Sequence, residues 1–160
     1  LLDYIMSCRR PPAWNHLGEV VLSDPRMGSY IGDMPHTWVG SGFINSVRNL
    51  LVREKDGKLL LLRGIRDSWV TDGEGVVLRD APTYFGKLNL TAKSSDKKSL
   101  RVELRGDYDV PEGIELYWPP QRGKPSRVTI NGTEWTRFDD KVCRISGKVQ
   151  GVIEAEWAEE

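Results

Sequence analysis

The chain has no apolar run approaching the ~20 residues that a membrane-spanning helix needs. It also lacks net charge: Lys plus Arg equals Asp plus Glu at 23 each, giving +0 at pH 7. No long-range field would then draw it to nucleic acid or to anionic lipid, so neither a polyanion nor a membrane is expected as a partner. Cysteine is scarce. Cys8 and Cys143 lie at opposite ends of the sequence, and neither belongs to a CxxC or Cys/His spacing that would hold a metal. They read as buried or partly exposed thiols, with a disulfide as the alternative, and no metal or cofactor is called for. No signal-peptide pattern opens the sequence, which starts on Leu1 rather than Met. Its first residues, LLDYIMSC, are apolar at Leu1, Leu2, Ile5 and Met6 and read as the tail of a helix whose beginning is missing.

What is present is enough for one hydrophobic core. The 160 residues are 39% hydrophobic and 29% charged, the composition of a soluble globular domain. Two periodicities divide them. After Pro35, apolar residues recur at Trp38, Val39, Phe43, Val47, Leu50 and Leu51, with Ile44 flanking, which is the spacing of one helical face. Ser41, Asn45, Arg48 and Asn49 take the other side, and Pro35 fits at the head of the helix, where its missing N–H costs nothing. This helix is expected to end near Glu54, because Asp56-Gly57 signals a tight turn.

Beyond Gly57 the period becomes two. The runs at 59–62, 76–79, 87–92, 99–105, 114–118, 127–132, 141–146 and 152–157 read as about eight short strands separated by turn residues. Their alternation places Leu88, Leu90, Leu100, Val102, Leu104, Ile114, Leu116, Val128 and Ile130 inward. The fold expected is mainly β, an antiparallel β-sandwich over residues 57–160 preceded by a short α-helical segment over residues 1–56. In the second half Arg63, Arg66, Asp67 and Trp69 suggest a structural salt bridge, and Asp72, Glu74 and Asp80 lack the dense oxygen spacing of a calcium loop. Asn131-Gly132-Thr133 matches a glycosylation acceptor formally, but Asn-Gly is adequately explained as a hairpin turn.

The order PPAWNHLGEVV, GDMPHTWVGSGFINSVRNLLV, LLLLRGIRDSWV and APTYFGKLNL resembles the C-terminal end of bacterial six-hairpin glycosidases. These have an (α/α)6 toroid followed by a β-sandwich, and the likeness is broadest to the alpha-L-rhamnosidase-like branch. It covers about residues 1 to 130 and is sharpest from Gly32 to Val52. The resemblance implies that the helical segment closes a toroid lying upstream in the same polypeptide, and that loops at one end of the toroid ring a carbohydrate substrate. It further implies that Trp14 and Trp38 stack on sugar rings and that Glu19, Asp33 and His36 bond hydroxyls or act in catalysis. Where the rhamnosidase-like pattern carries a Trp-Glu pair whose carboxylate is the general base, this chain reads Trp14-Asn15. Asparagine cannot take a proton; the resemblance then implies a substrate-binding role for Asn15, with the base at Glu19, at Asp33 or upstream, or other chemistry in this member.

Each of these residues has a plainer reading. Trp38 at the head of an amphipathic helix can be core, Asp33 can cap the helix, His36 can bond a loop carbonyl, and Glu19 can be merely solvated. For the whole chain the alternative to a glycosidase segment is a carbohydrate-binding or structural sandwich module, for which six tryptophans offer stacking platforms. Trp118 and Trp157, however, fall at inward-facing positions.

Overall fold

In the computed structural model, residues 2–22, 24, 32–147 and 149–158 are described, Pro12 without its side chain. The chain forms two compact units, Leu1–Arg48 and Asn49–Glu160.

In the first unit, helix α1 covers Leu2–Ser7, a short 3-10 turn covers Pro12–Trp14, and helix α2 starts at Thr37 and runs to Leu51. The start of α2 agrees with the position of Pro35. Leu1 and the middle of the excursion between α1 and α2 lie outside the described residues. Among the described residues no helix is long and apolar enough to cross a membrane. The apolar stripe of α2 is present, but none of its residues is buried, and Trp38 and Ile44 are 79% and 67% exposed. The core reading of Trp38 therefore does not apply to this chain.

The expected C-terminus of α2 differs by a few residues, for a clear reason. Asp56 and Gly57 both adopt positive φ, 52° and 76°, which makes a two-residue turn of the type that matches strand twist. Such a turn needs a strand on each side. The helix thus stops at Leu51, and strand β1, Val52–Lys55, pairs with β2, Lys58–Leu61, in the register Val52↔Leu61 and Lys55↔Lys58. Hydrogen bonds from Leu62 N–H to the Leu51 carbonyl and from Gly64 N–H to the Leu50 carbonyl, 2.8 and 2.9 Å, satisfy two carbonyls at the helix end. Residues 52 to 55 consequently form a strand of the sheet, and Asp56 sits in the turn.

The remaining strands are β3 (Val76–Thr83), β4 (Gly86–Lys93), β5 (Ser99–Tyr108), β6 (Ile114–Tyr117), β7 (Arg127–Ile130), β8 (Thr133–Glu134), β9 (Val142–Ile145) and β10 (Gly151–Glu156), with a one-turn helix α3 at Asp67–Thr71. They form a four-stranded sheet, β1-β2-β6-β9, and a six-stranded sheet, β3-β4-β5-β10-β7-β8. All pairings are antiparallel except β2 with β6, which run parallel with Leu59 opposite Ile114. Inner positions of both sheets share one core: Leu59, Leu61, Ile114, Leu116 and Ile145 from one, and Leu88, Leu90, Leu100, Val102, Leu104 and Ile153 from the other. That is a β-sandwich, with every inward position expected from alternation buried except Ile130, which is partly buried against the core.

The turns show how local chemistry fixes the register. Asn131 and Gly132, φ 50° and 79°, make the β7–β8 hairpin. Asn131 Nδ2 donates to the Gln150 carbonyl and its Oδ1 accepts from Val152 N–H, at 3.0 and 2.8 Å. That side chain is fully used as a staple to β10, in keeping with the turn reading. A bulge in β3 between Leu78 and Ala81 is patched by Asn89, whose Oδ1 accepts from Asp80 N–H at 2.9 Å.

The salt bridge expected in RGIRDSW is there, but its cation comes from elsewhere. Asp67 pairs with Arg122 at 2.6 Å, and the Arg122 side chain is only 4% exposed. Arg122 also donates to the Ser99 carbonyl and to Ser94 Oγ, at 2.7 and 2.9 Å, and lies over the Trp157 ring. One buried guanidinium thus ties α3, the β4–β5 connection and the end of β10 together. Arg63 instead stands over the Tyr117 ring.

Two predictions follow from this packing. Leu104→Ala should destabilise the chain by ~2–5 kcal/mol and Arg122→Ala by ~3 kcal/mol, the second because it strips the Asp67 carboxylate of its cation and removes the bonds to Ser94 and Ser99. Urea denaturation measures both, and an Arg122→Ala loss within ~0.5 kcal/mol would contradict the role given to Arg122. Burial pushes the Tyr108 hydroxyl and the Cys143 thiol each up to about 12. Because both folded values exceed the ordinary ones, their stabilising contribution is complete below the unfolded pKa and is lost as pH rises toward about 12. Stability should fall on the alkaline side above pH ~9, measured as a declining denaturation midpoint, and Cys143 should resist alkylation until the chain unfolds.

Candidate functional site

The head of α2 is built by His36. The ring sits just before Thr37, its Nδ1 accepts from the Val39 N–H at 3.3 Å, and its carbonyl takes the first helical bond from Gly40 N–H at 3.1 Å. This is an N-cap made by an imidazole, filling one of the four donors that a helix leaves orphaned. Asp33, expected as the alternative cap, does not supply it; it is exposed and three residues earlier. The His36 N–H donates to the Leu17 carbonyl at 3.1 Å, which fastens the 15–19 segment beside the helix start. Because Nδ1 accepts, the neutral ring carries its proton on Nε2. Nε2 stands 3.6 Å from Glu19 Oε2, an ion-pair separation longer than a good hydrogen bond.

Two open grooves flank this ridge and share His36 and Phe43. One, of about 390 Å³, is lined by Asn15, His16, Leu17, Pro35, Thr37, Ser41 and Ile44. The other, of about 460 Å³, is lined by Ile5, Glu19, Trp38, Val39 and Ser46. Glu19, His36 and Trp38 therefore meet on one groove, and Asn15 meets His36 on the other. Trp14, 68% exposed, lines neither; it contacts His16 edge-to-face with ring centroids 5.8 Å apart. Asp33 lines neither groove as well. Asn15 takes a left-handed φ of 55°, and its Oδ1 accepts from Arg9 Nη1, which fixes the amide orientation.

His16 is the residue that sequence reading passed over. Its signal was adjacency, since it completes an uninterrupted Trp14-Asn15-His16 triplet. In the sandwich, a second polar cluster gathers Lys58, Glu115, Tyr117 and Arg144. Lys58 bonds Glu115 at 2.9 Å and holds its carboxyl below the usual range, while burial foremost raises Tyr117, which donates to Glu115 at 2.9 Å. The adjoining cavity is only about 90 Å³, too small for a sugar ring; the Lys58–Glu115 ion pair joins β2 to β6, and Arg144 of β9 pairs with Asp139. Among the described residues no group of three or more His, Cys, Asp or Glu is placed to hold a metal ion.

Aromatic exposure separates the units. Trp118 is buried, and Trp69, Trp135 and Trp157 pack against the sandwich core, whereas Trp14 and Trp38 of the helical unit are exposed. Trp118 and Trp157 meet edge-to-face, 6.0 Å between centroids.

No protein-family model matches the chain, and no curated protein matches it. Among solved structures it is similar to a GH127 beta-L-arabinofuranosidase from Geobacillus stearothermophilus T6, with 11% identity and a TM-score of 0.46 over 72% of this chain. The chain spans 18% of the length of that structure.

If Trp38 is a surface residue of this unit, Trp38→Ala should change stability by no more than ~0.5 kcal/mol in urea denaturation. A loss of ~3–5 kcal/mol, typical of a buried aromatic, would contradict its placement.

Proposed function

We propose that this chain is the C-terminal part of a glycoside hydrolase, in which the head of α2 forms one wall of a carbohydrate site and the β-sandwich supports it. The observation that carries the reading is the gathering of Glu19, His36 and the exposed Trp38 on one groove, with Asn15 on the next. Exposed aromatic faces beside fixed polar groups suit the alternating apolar and hydroxyl surfaces of sugars. The unburied apolar stripe of α2 fits a helix completed by further helices, and the partner proposed is a toroid domain upstream in the same polypeptide. A carbohydrate-binding module is less well supported, because the sandwich tryptophans are turned into or against their own core.

In this reading Trp38 stacks on a sugar ring and the Asn15 amide, its oxygen already held by Arg9, donates to a hydroxyl. Glu19 is the first candidate for the carboxylate that activates water, and exposed Asp33 is the second. Hydrolysis needs two carboxyl groups, one protonated and one ionised, on opposite sides of the glycosidic bond, and it needs no cofactor. The acid is assigned to the upstream domain, so the 160-residue chain by itself should be inactive.

The test is the polypeptide encoded by the continuous reading frame around this segment, assayed on a panel of glycosides. Glu19→Gln should lower kcat ~10²–10⁴-fold with KM little changed if Glu19 is the base, and Asp33→Asn should do so if the base is Asp33. Near-normal turnover in both variants would remove the catalytic assignment, and a stop codon directly upstream of Leu1 would remove the parent enzyme.

A further inference from the structure

The two ring nitrogens of His36 face different masters. Nδ1 accepts the Val39 N–H at 3.3 Å, inside the first turn of α2, while Nε2 faces the Glu19 carboxylate at 3.6 Å. Both cannot be served equally in every protonation state. A neutral ring can accept at Nδ1 only while the proton is on Nε2, and that places an N–H toward Glu19. A protonated ring has donors at both positions, so Nδ1–H would oppose the Val39 N–H while the positive charge strengthens attraction to Glu19. The side chain is about one-fifth exposed and the Glu19 side chain about half exposed, so both remain in reach of solvent protons.

We infer that His36 is a positioning residue that ties Glu19 to the first turn of α2, and that its protonation exchanges the helix cap for a stronger hold on the carboxylate. In the neutral ring the cap fixes the imidazole, and the ring presents one tautomer to Glu19. When the ring takes a second proton, the first turn loosens and the Glu19 tie tightens. The titratable groups facing His36 among the described residues are Glu19 and, across the shared groove, His16; Asp33 precedes it in the chain. That Glu19 is a reacting group rests on the function proposed above, whereas the tie itself can be examined without any sugar.

The experiment uses the 160-residue chain in nuclear magnetic resonance titrations over about pH 5–8, spanning the imidazole range. Two signals are read: the exchange protection of the Val39 amide and the side-chain carboxyl carbon of Glu19. In the unaltered chain, Val39 protection should fall on acidification, and the Glu19 carbon should show a second inflection coincident with the His36 ring. His36→Asn keeps a capping oxygen but does not titrate, so it should preserve Val39 protection at all pH values and erase the Glu19 inflection. His36→Ala should raise Val39 exchange about five-fold throughout, the loss of one cap. His16→Asn should leave both signals in place. The inference is overturned if Val39 protection in the unaltered chain does not depend on pH, if the Glu19 inflection survives in His36→Asn, or if it disappears in His16→Asn.

Discussion

The sandwich depends on hiding two apolar sheet faces from water at once, and strand register is what makes that hiding work. Leu100, Val102 and Leu104 on β5 face Ala92 and Leu90 of β4 on one side and Ala155, Ile153 and Gly151 of β10 on the other. A slip of one residue would turn this whole set outward and bring Arg101, Glu103 and Arg105 inward. The alternation alone does not exclude a slip of two residues, which keeps the same face inward. The short turns do: Asp56-Gly57 and Asn131-Gly132 permit one pairing each, and the Asn131 side chain locks the second hairpin to β10. Arg122 then joins segments that the sheets do not connect, at a point where an unpaired charge would be costly.

Much of this was legible in sequence because period-two alternation is a direct consequence of pleat geometry, and alternating Leu88, Leu90, Leu100, Val102 and Leu104 are all buried. What escaped was set by non-local partners. The parallel pairing of β2 with β6 joins strands more than fifty residues apart and leaves no local trace. Arg122 gives Asp67 its cation from across a similar gap, whereas proximity in sequence pointed to Arg63 or Arg66. The Asp56-Gly57 signal puts the end of α2 near Glu54, but that turn demands a strand before it, and the helix stops at Leu51.

The candidate site divides in the same way. The loop-and-helix segment was conspicuous because an acid, a proline, a histidine and a tryptophan crowd the head of an amphipathic helix. Composition could not say which of Asp33 and His36 caps it, since that depends on the side chain reaching Val39, and His36 does so. Nor could it show that Glu19, more than fifteen residues earlier, returns to the same imidazole. These contacts place polar groups and an exposed indole in one neighbourhood, and the sandwich keeps its own aromatics inside. The two units therefore have different physical characters: one closes on itself, and the other presents an apolar helix face and open grooves.

In the function proposed above, carbohydrate is met by the helical unit and not by the sandwich. The six tryptophan indole N–H resonances of the chain, followed during titration with neutral mono- and oligosaccharides into the millimolar range, test it most directly. The account predicts that the Trp14 and Trp38 signals move while those of Trp69, Trp118, Trp135 and Trp157 stay. Saturable shifts confined to the sandwich indoles, with Trp14 and Trp38 unmoved, would contradict it and make the chain a binding module.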